Sequence, residues 1–227
     1  MNDIHRRRFE RLVRIADFGE AHADSFDAGS KGGTALANIR TTLTEVGKLD
    51  ATRNTGDSKA KQGTSIKREA RASLRSQLAN ISRTAKTISL DMPEVKDKFR
   101  TPNGNVNDQT LLGIARSFVV EATPLRDKFI EYDMPEDFLD TLNKSLTDFE
   151  KAINQQNTGV GTRTSAISAI EVALERGEAE AKRLDTIVRN KFRVDPSTLA
   201  AWESAQHLEH AGKGKPAASK PPEAPTP

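Results

Sequence analysis

Cysteine is absent from the 227 residues, which removes disulfides, thiolate metal sites and cysteine nucleophiles from consideration. Aromatic residues make up only 5% of the chain and hydrophobic residues 35%, against 30% charged. That mixture is poorly suited to a β-sandwich, which draws on β-branched and aromatic alternation. It suits helices with a narrow apolar stripe and a broad solvated face. No apolar run approaches 18 residues, and the basic start from His5 to Arg8 leads into Glu10, Arg11, Arg14 and Asp17 rather than a hydrophobic stretch. A secretory leader and a membrane span are not expected, so the default reading is a cytoplasmic protein.

The apolar residues that are present recur at helical spacing. Ile66, Ala70, Leu74, Leu78, Ile81, Ala85, Ile88 and Met92 advance in steps of three and four, as do Ile167, Ile170, Leu174, Gly177, Ala181, Leu184, Val188 and Phe192. Such spacing places each set on one helix face. Shorter helices are expected around Phe9 to Phe26, around Leu36 to Val46 before a polar stretch at Ala51–Ser65, around Leu111 to Phe129 with a kink at Pro124, and around Phe138 to Ile153. Thr158-Gly159-Val160-Gly161 and Asn103-Gly104-Asn105 read as loops.

Asp91-Met92-Pro93-Glu94 and Asp133-Met134-Pro135-Glu136 carry the Asp, Pro and Glu chemistry of helix starts, and Asp195-Pro196 opens a last helix. The fold expected is all-α: an elongated antiparallel bundle of four principal helices or more, with short terminal helices, over residues 1–210. Residues 211–227 hold five of the ten prolines and read as a disordered tail.

Few residues suggest chemistry. Ser30-Lys31-Gly32-Gly33-Thr34 lacks the Gly-Lys-Ser/Thr ending and the preceding strand of a phosphate loop, and reads as a helix–helix turn. No Glu-x-x-His pair of the di-iron type occurs. His207 and His210 lie three apart with no third ligand on their helix, and His22 falls at the edge of an apolar face. Glu171, Glu175, Glu178 and Glu180 read as part of a solvated helix face. No catalytic residue, metal site or cofactor is indicated.

Charge is the exception, because it is unevenly distributed. Residues 31–90 hold twelve Lys or Arg against four Asp or Glu, whereas 91–157 hold eight against thirteen. On a helix from Ile66, Arg68, Arg71, Arg75 and Lys86 line up beside the apolar seam, with Arg83 beyond. Such a rail could track phosphates without sequence preference, although no aromatics interleave it for base stacking. It could equally pair with Asp133, Glu136, Asp137, Asp140 and Asp148 across a bundle. Intramolecular or intersubunit pairing is the favoured reading.

The strings Ile81-Ser-Arg-Thr-Ala-Lys-Thr-Ile-Ser-Leu-Asp-Met-Pro, Leu184-Asp-Thr-Ile-Val-Arg-Asn-Lys-Phe-Arg and Leu199-Ala-Ala-Trp-Glu-Ser-Ala resemble those of a family of uncharacterised bacterial all-helical proteins. The resemblance implies a bacterial source and a helical fold, and supplies no catalytic residues. The expected role is a non-catalytic helical scaffold or protein-interaction module, whose partner is a second copy or another helical protein. The alternative is an accessory protein that binds nucleic acid through Arg68, Arg71, Arg75, Arg83 and Lys86.

Overall fold

The computed structural model describes residues 1–102 and 104–209. The expected tail at 211–227, together with Asn103 and His210, lies outside the described residues. Among the described residues six α-helices run in the order α1 (Asp3–Ala21), α2 (Lys31–Ile88), α3 (Asp108–Ala122), α4 (Arg126–Glu131), α5 (Phe138–Lys191) and α6 (Pro196–Gln206). No strand occurs among the described residues. The chain divides into two compact units, one of Met1–Gly47 with the chain from Ile170 onward, the other of Lys48–Ala169.

Two expected interruptions are absent. The polar stretch at Ala51–Ser65 is the middle of the 58-residue α2, and the expected loop at Thr158–Gly161 is the middle of the 54-residue α5. A Cβ on Gly56 would lie 2.7 Å from the backbone nitrogen of Arg163, one on Gly159 2.5 Å from that of Ala60, and one on Gly63 2.8 Å from that of Gln156. Each advance along α2 is thus a retreat along α5, which is antiparallel pairing.

The pairing is so close that glycine and alanine form its buried seam: Gly56, Ala60 and Gly63 on one side, Ala152, Gly159 and Ala166 on the other. Exposed threonines nearby donate to the carbonyl one turn back, as Thr52, Thr55 and Thr158 do. Their hydroxyls therefore need no other partner. A seam of small residues flanked by threonine reads as polar because it contains almost no hydrophobic volume.

The rest of the Lys48–Ala169 unit packs larger side chains. Leu74, Leu78, Ile81, Ala85 and Ile88 of α2 meet Leu111, Leu112, Ala115 and Phe118 of α3, and Phe138, Leu142 and Phe149 of α5. Phe99 sits edge-on to both Phe118 and Phe129, with centroids 5.3 and 5.5 Å away. Pro124 lies in a one-turn 3-10 segment between α3 and α4, so the expected kink is a break.

In the other unit, Leu12, Ile15 and Phe18 of α1 pack with Leu36, Ile39, Ile170, Leu174, Leu184, Val188 and Trp202 as the buried apolar set. Gly177 accommodates Leu12, whose Cδ1 would lie 2.6 Å from an added Cβ. Ile167, expected to face inward, is 39% exposed.

The two Asp-Met-Pro-Glu tetrads follow helix ends instead of starting helices. Asp133 has φ of 58°, its N–H donates to Ile130, and the next N–H, of Met134, reaches back to Phe129. That pair of bonds is the Schellman closure of α4. Asp91 and Met92 likewise donate to Ile88 at the end of α2, and only a single 3-10 turn, Pro93–Val95, follows. Proline comes next in both because it cannot extend the preceding helix. Asp195 does cap α6, accepting from the Thr198 N–H at 3.1 Å and its hydroxyl at 2.7 Å.

Candidate polyanion interface

The last part of α2, from Lys67 to Ile88, presents the cations expected to form a rail, and the structure divides them into two groups. Arg71 is held: its guanidinium pairs with Asp108 and donates to the Val106 carbonyl and, at 3.0 Å, to Asn105 Oδ1. It also lies 5.9 Å from the Phe149 ring centroid. Lys67 Nζ takes the other Asp108 oxygen at 3.1 Å, and Arg75 donates to the Gly104 carbonyl. These residues secure the connector into α3, where Asn107 caps by accepting from Thr110 N–H at 2.8 Å. Asp108 is suited to the role because a carboxylate in the first turn of a helix also meets its positive end.

Arg68, Arg83 and Lys86 form the second group. All three are exposed, and none makes an ion pair or side-chain hydrogen bond among the described residues. The acids expected to neutralise the rail do not reach it. Asp137 accepts from Thr141, the backbone carbonyl of Glu136 accepts from Arg126, and among the described residues none of Asp133, Glu136, Asp137, Asp140 or Asp148 forms an ion pair with these cations. The neutralising carboxylate is Asp108, three residues past a loop that sequence reading treated only as a connection.

Near Lys86 the surface is concave. A cleft of about 510 Å³ is lined by Ser82, Ala85, Lys86, Ser89, Lys96, Asp97, Phe99, Arg100 and Thr101. Lys86, Lys96 and Arg100 are exposed cations, with Asp97 the one carboxylate, paired to Arg100. Ala85 and Phe99 are buried beneath.

The remaining candidates are structural. Ser30 starts α2, its hydroxyl accepting from Gly33 N–H at 3.0 Å, so the Lys-Gly-Gly segment is a capped helix start. His22 stacks on Phe18 with centroids 4.3 Å apart. His5, which the sequence reading passed over, is 5% exposed and bonded through Nε2 to Glu171. Beside it Arg8 grips Glu178 with two bonds of 3.0 Å and reaches Glu171 at 2.5 Å. Helical spacing alone cannot show that residues 5, 8, 171 and 178 meet, because it reports only neighbours on one helix. Among the described residues no group of three or more His, Cys, Asp or Glu is arranged to hold a metal ion. No helix among them is long and apolar enough to cross a membrane.

Four carboxylates, Asp50, Asp57, Glu171 and Asp195, are held below their ordinary range and carry a pH dependence. Hydrogen bonds from Arg8 hold Glu171 below the ordinary glutamate range, those from Lys61 and Arg163 lower Asp57, and those from Thr198 lower Asp195. A carboxylate whose folded pKa is depressed stabilises the fold above its unfolded value, and that stability is lost as pH falls through the folded one. The thermal midpoint should therefore be level near neutrality and decline below about pH 4, where the unfolded chain takes up protons that the folded carboxylates still resist. A midpoint unchanged down to about pH 3 would contradict this linkage. Comparison with known families, curated proteins and solved structures finds no match to this chain.

Proposed function

We propose that the chain is a non-catalytic helical module that engages nucleic acid through the open part of the α2 cationic face. The observation that carries the reading is the division of the rail. Lys67, Arg71 and Arg75 are committed to the α3 connector, while Arg68, Arg83 and Lys86 are exposed with no partner of their own among the described residues. Unpaired cations along one helix attract a phosphate backbone by releasing its counterions, and read no base.

The test is binding to mixed-sequence DNA and RNA at two salt concentrations. With three phosphates neutralised, a fourfold rise in salt should weaken binding by roughly 40-fold. Arg68→Glu with Arg83→Glu should abolish most binding at low salt. Absence of any retention by the wild-type protein at low salt rejects the reading. It would leave the chain as a scaffold for a second copy or another helical protein.

A further inference from the structure

We propose that the cleft between the end of α2 and residues 96–101 is a binding site for a phosphate monoester, independent of the backbone-tracking role of Arg68 and Arg83. Charge is the first observation. Lys86, Lys96 and Arg100 against Asp97 leave a surplus of two positive charges around one concavity, matching a phosphate monoester dianion.

The second observation is Ser82. It is 5% exposed and lines the cleft, and its hydroxyl makes no hydrogen bond among the described residues. Arg11 Nε is the one buried polar side-chain atom without a partner among the described residues, so the unbonded Ser82 hydroxyl meets solvent and is free to donate beside the cations. Thr101 adds a second hydroxyl, uncommitted among the described residues, whereas Ser89 is occupied, donating to the Lys86 carbonyl at 2.7 Å. The terminal oxygens of a phosphate monoester dianion only accept, so two hydroxyl donors and three cations suit it.

One effect opposes anion binding here. The cleft borders the C-terminus of α2, the negative end of the helix dipole, which disfavours an anion by about 0.3–1 kcal/mol. Its last carbonyls are already engaged: Ala85 by Ser89 N–H, Lys86 by the Ser89 hydroxyl, Thr87 by Leu90 N–H, and Ile88 by Asp91 and Met92. Three cations outweigh that residual field. The cleft, at about 510 Å³, leaves room for an organic group of nucleoside size over Phe99 and Ala85. The phosphate can belong to a free metabolite or to the end of a nucleic-acid strand.

Titration of the full chain in low-salt buffer with inorganic phosphate and with a nucleoside monophosphate, followed by amide chemical shifts, tests the site. Saturable binding with shifts at Ser82, Lys86 and residues 96–101 is expected. Lys96→Ala with Arg100→Ala should weaken it at least tenfold, Ser82→Ala severalfold, and Arg68→Ala not at all.

A strand with a 5′-phosphate bound more tightly than the same strand with a 5′-hydroxyl assigns the site to strand ends. Equal binding of the two strands, with the monophosphate still bound, assigns it to a free metabolite. Unsaturable shifts, or equal loss in Arg68→Ala, overturn the proposal. Failure of the backbone-tracking reading looks different: the 5′-hydroxyl strand goes unbound while inorganic phosphate still titrates.

Discussion

Gly159→Ala should destabilise the protein, and Gly161→Ala, two residues further along the same helix, should stabilise it. Both glycines lie inside α5, where alanine is intrinsically better than glycine by about 1 kcal/mol. At Gly161 nothing lies within 4 Å of an added Cβ, so the propensity gain is realised in full. At Gly159 the added methyl would lie 2.5 Å from the Ala60 nitrogen, and 2.9 Å from the Ala60 Cα and from the Lys59 carbonyl carbon.

All three of those atoms are backbone, so no rotamer change relieves the clash and the helices must separate. Overpacking of that kind costs about 1–3 kcal/mol, which exceeds the propensity gain. A leucine at position 159 should prevent the pairing altogether. Chemical denaturation followed by circular dichroism measures both variants. Equal stabilisation by the two substitutions would show that α2 and α5 are not in close contact at this level.

The same seam explains what the sequence concealed. Where α2 and α5 carry large inward residues, as at Leu74, Leu78 and Ile81 or Leu174 and Leu184, helical periodicity located the elements and their buried faces. Where they approach most closely the buried residues are Gly56, Ala60, Gly63, Ala152, Gly159 and Ala166, and a hydrophobicity pattern registers nothing. Gly159 and Gly161 also look like turn chemistry, because a glycine chosen for close approach and one chosen for backbone freedom are the same letter. The Asp-Met-Pro-Glu tetrads misled for a related reason. Asp followed by Pro suits a helix start, yet Asp133 adopts the left-handed conformation that ends one.

The candidate interface was legible only in part. Periodicity placed Arg68, Arg71, Arg75, Arg83 and Lys86 beside the seam of one helix. It did not show which were free, because that depends on where the chain returns after α2. Asp108 comes back against Lys67 and Arg71 through a connector without regular periodicity. The Asn107-Asp108 pair was the available signal, since Asn caps a helix and Asp favours its first turn. Lys96 and Arg100, which complete the cleft, lie in the same connector and carry no pattern at all.

Trp202→Ala should cost about 3–5 kcal/mol, the range for emptying a fully buried large aromatic site. Trp202 is the only tryptophan in the chain and is 0% exposed. It is the residue through which the 11-residue α6 is anchored. Its ring meets Phe18 of α1 edge-on, with centroids 5.1 Å apart, and its indole N–H donates to Asp185 Oδ1 of α5 at 2.7 Å.

A helix as short as α6 is not stable alone in water, so without this anchor its Asp195 cap cannot hold it. Trp202→Phe keeps a ring against Phe18 and forfeits the hydrogen bond. Asp185 still accepts from Arg189 at 2.9 Å, so no buried acceptor is orphaned and the loss should be smaller, about 1–2 kcal/mol. Urea unfolding followed by circular dichroism ranks the variants, and the wild-type indole fluorescence should shift to the red as this unit opens. An alanine variant as stable as the phenylalanine variant would mean that α6 packs on α1 and α5 without depending on the indole. The predicted order is wild type, then Phe, then Ala, because the ring contributes more through the apolar area it buries than through its one hydrogen bond.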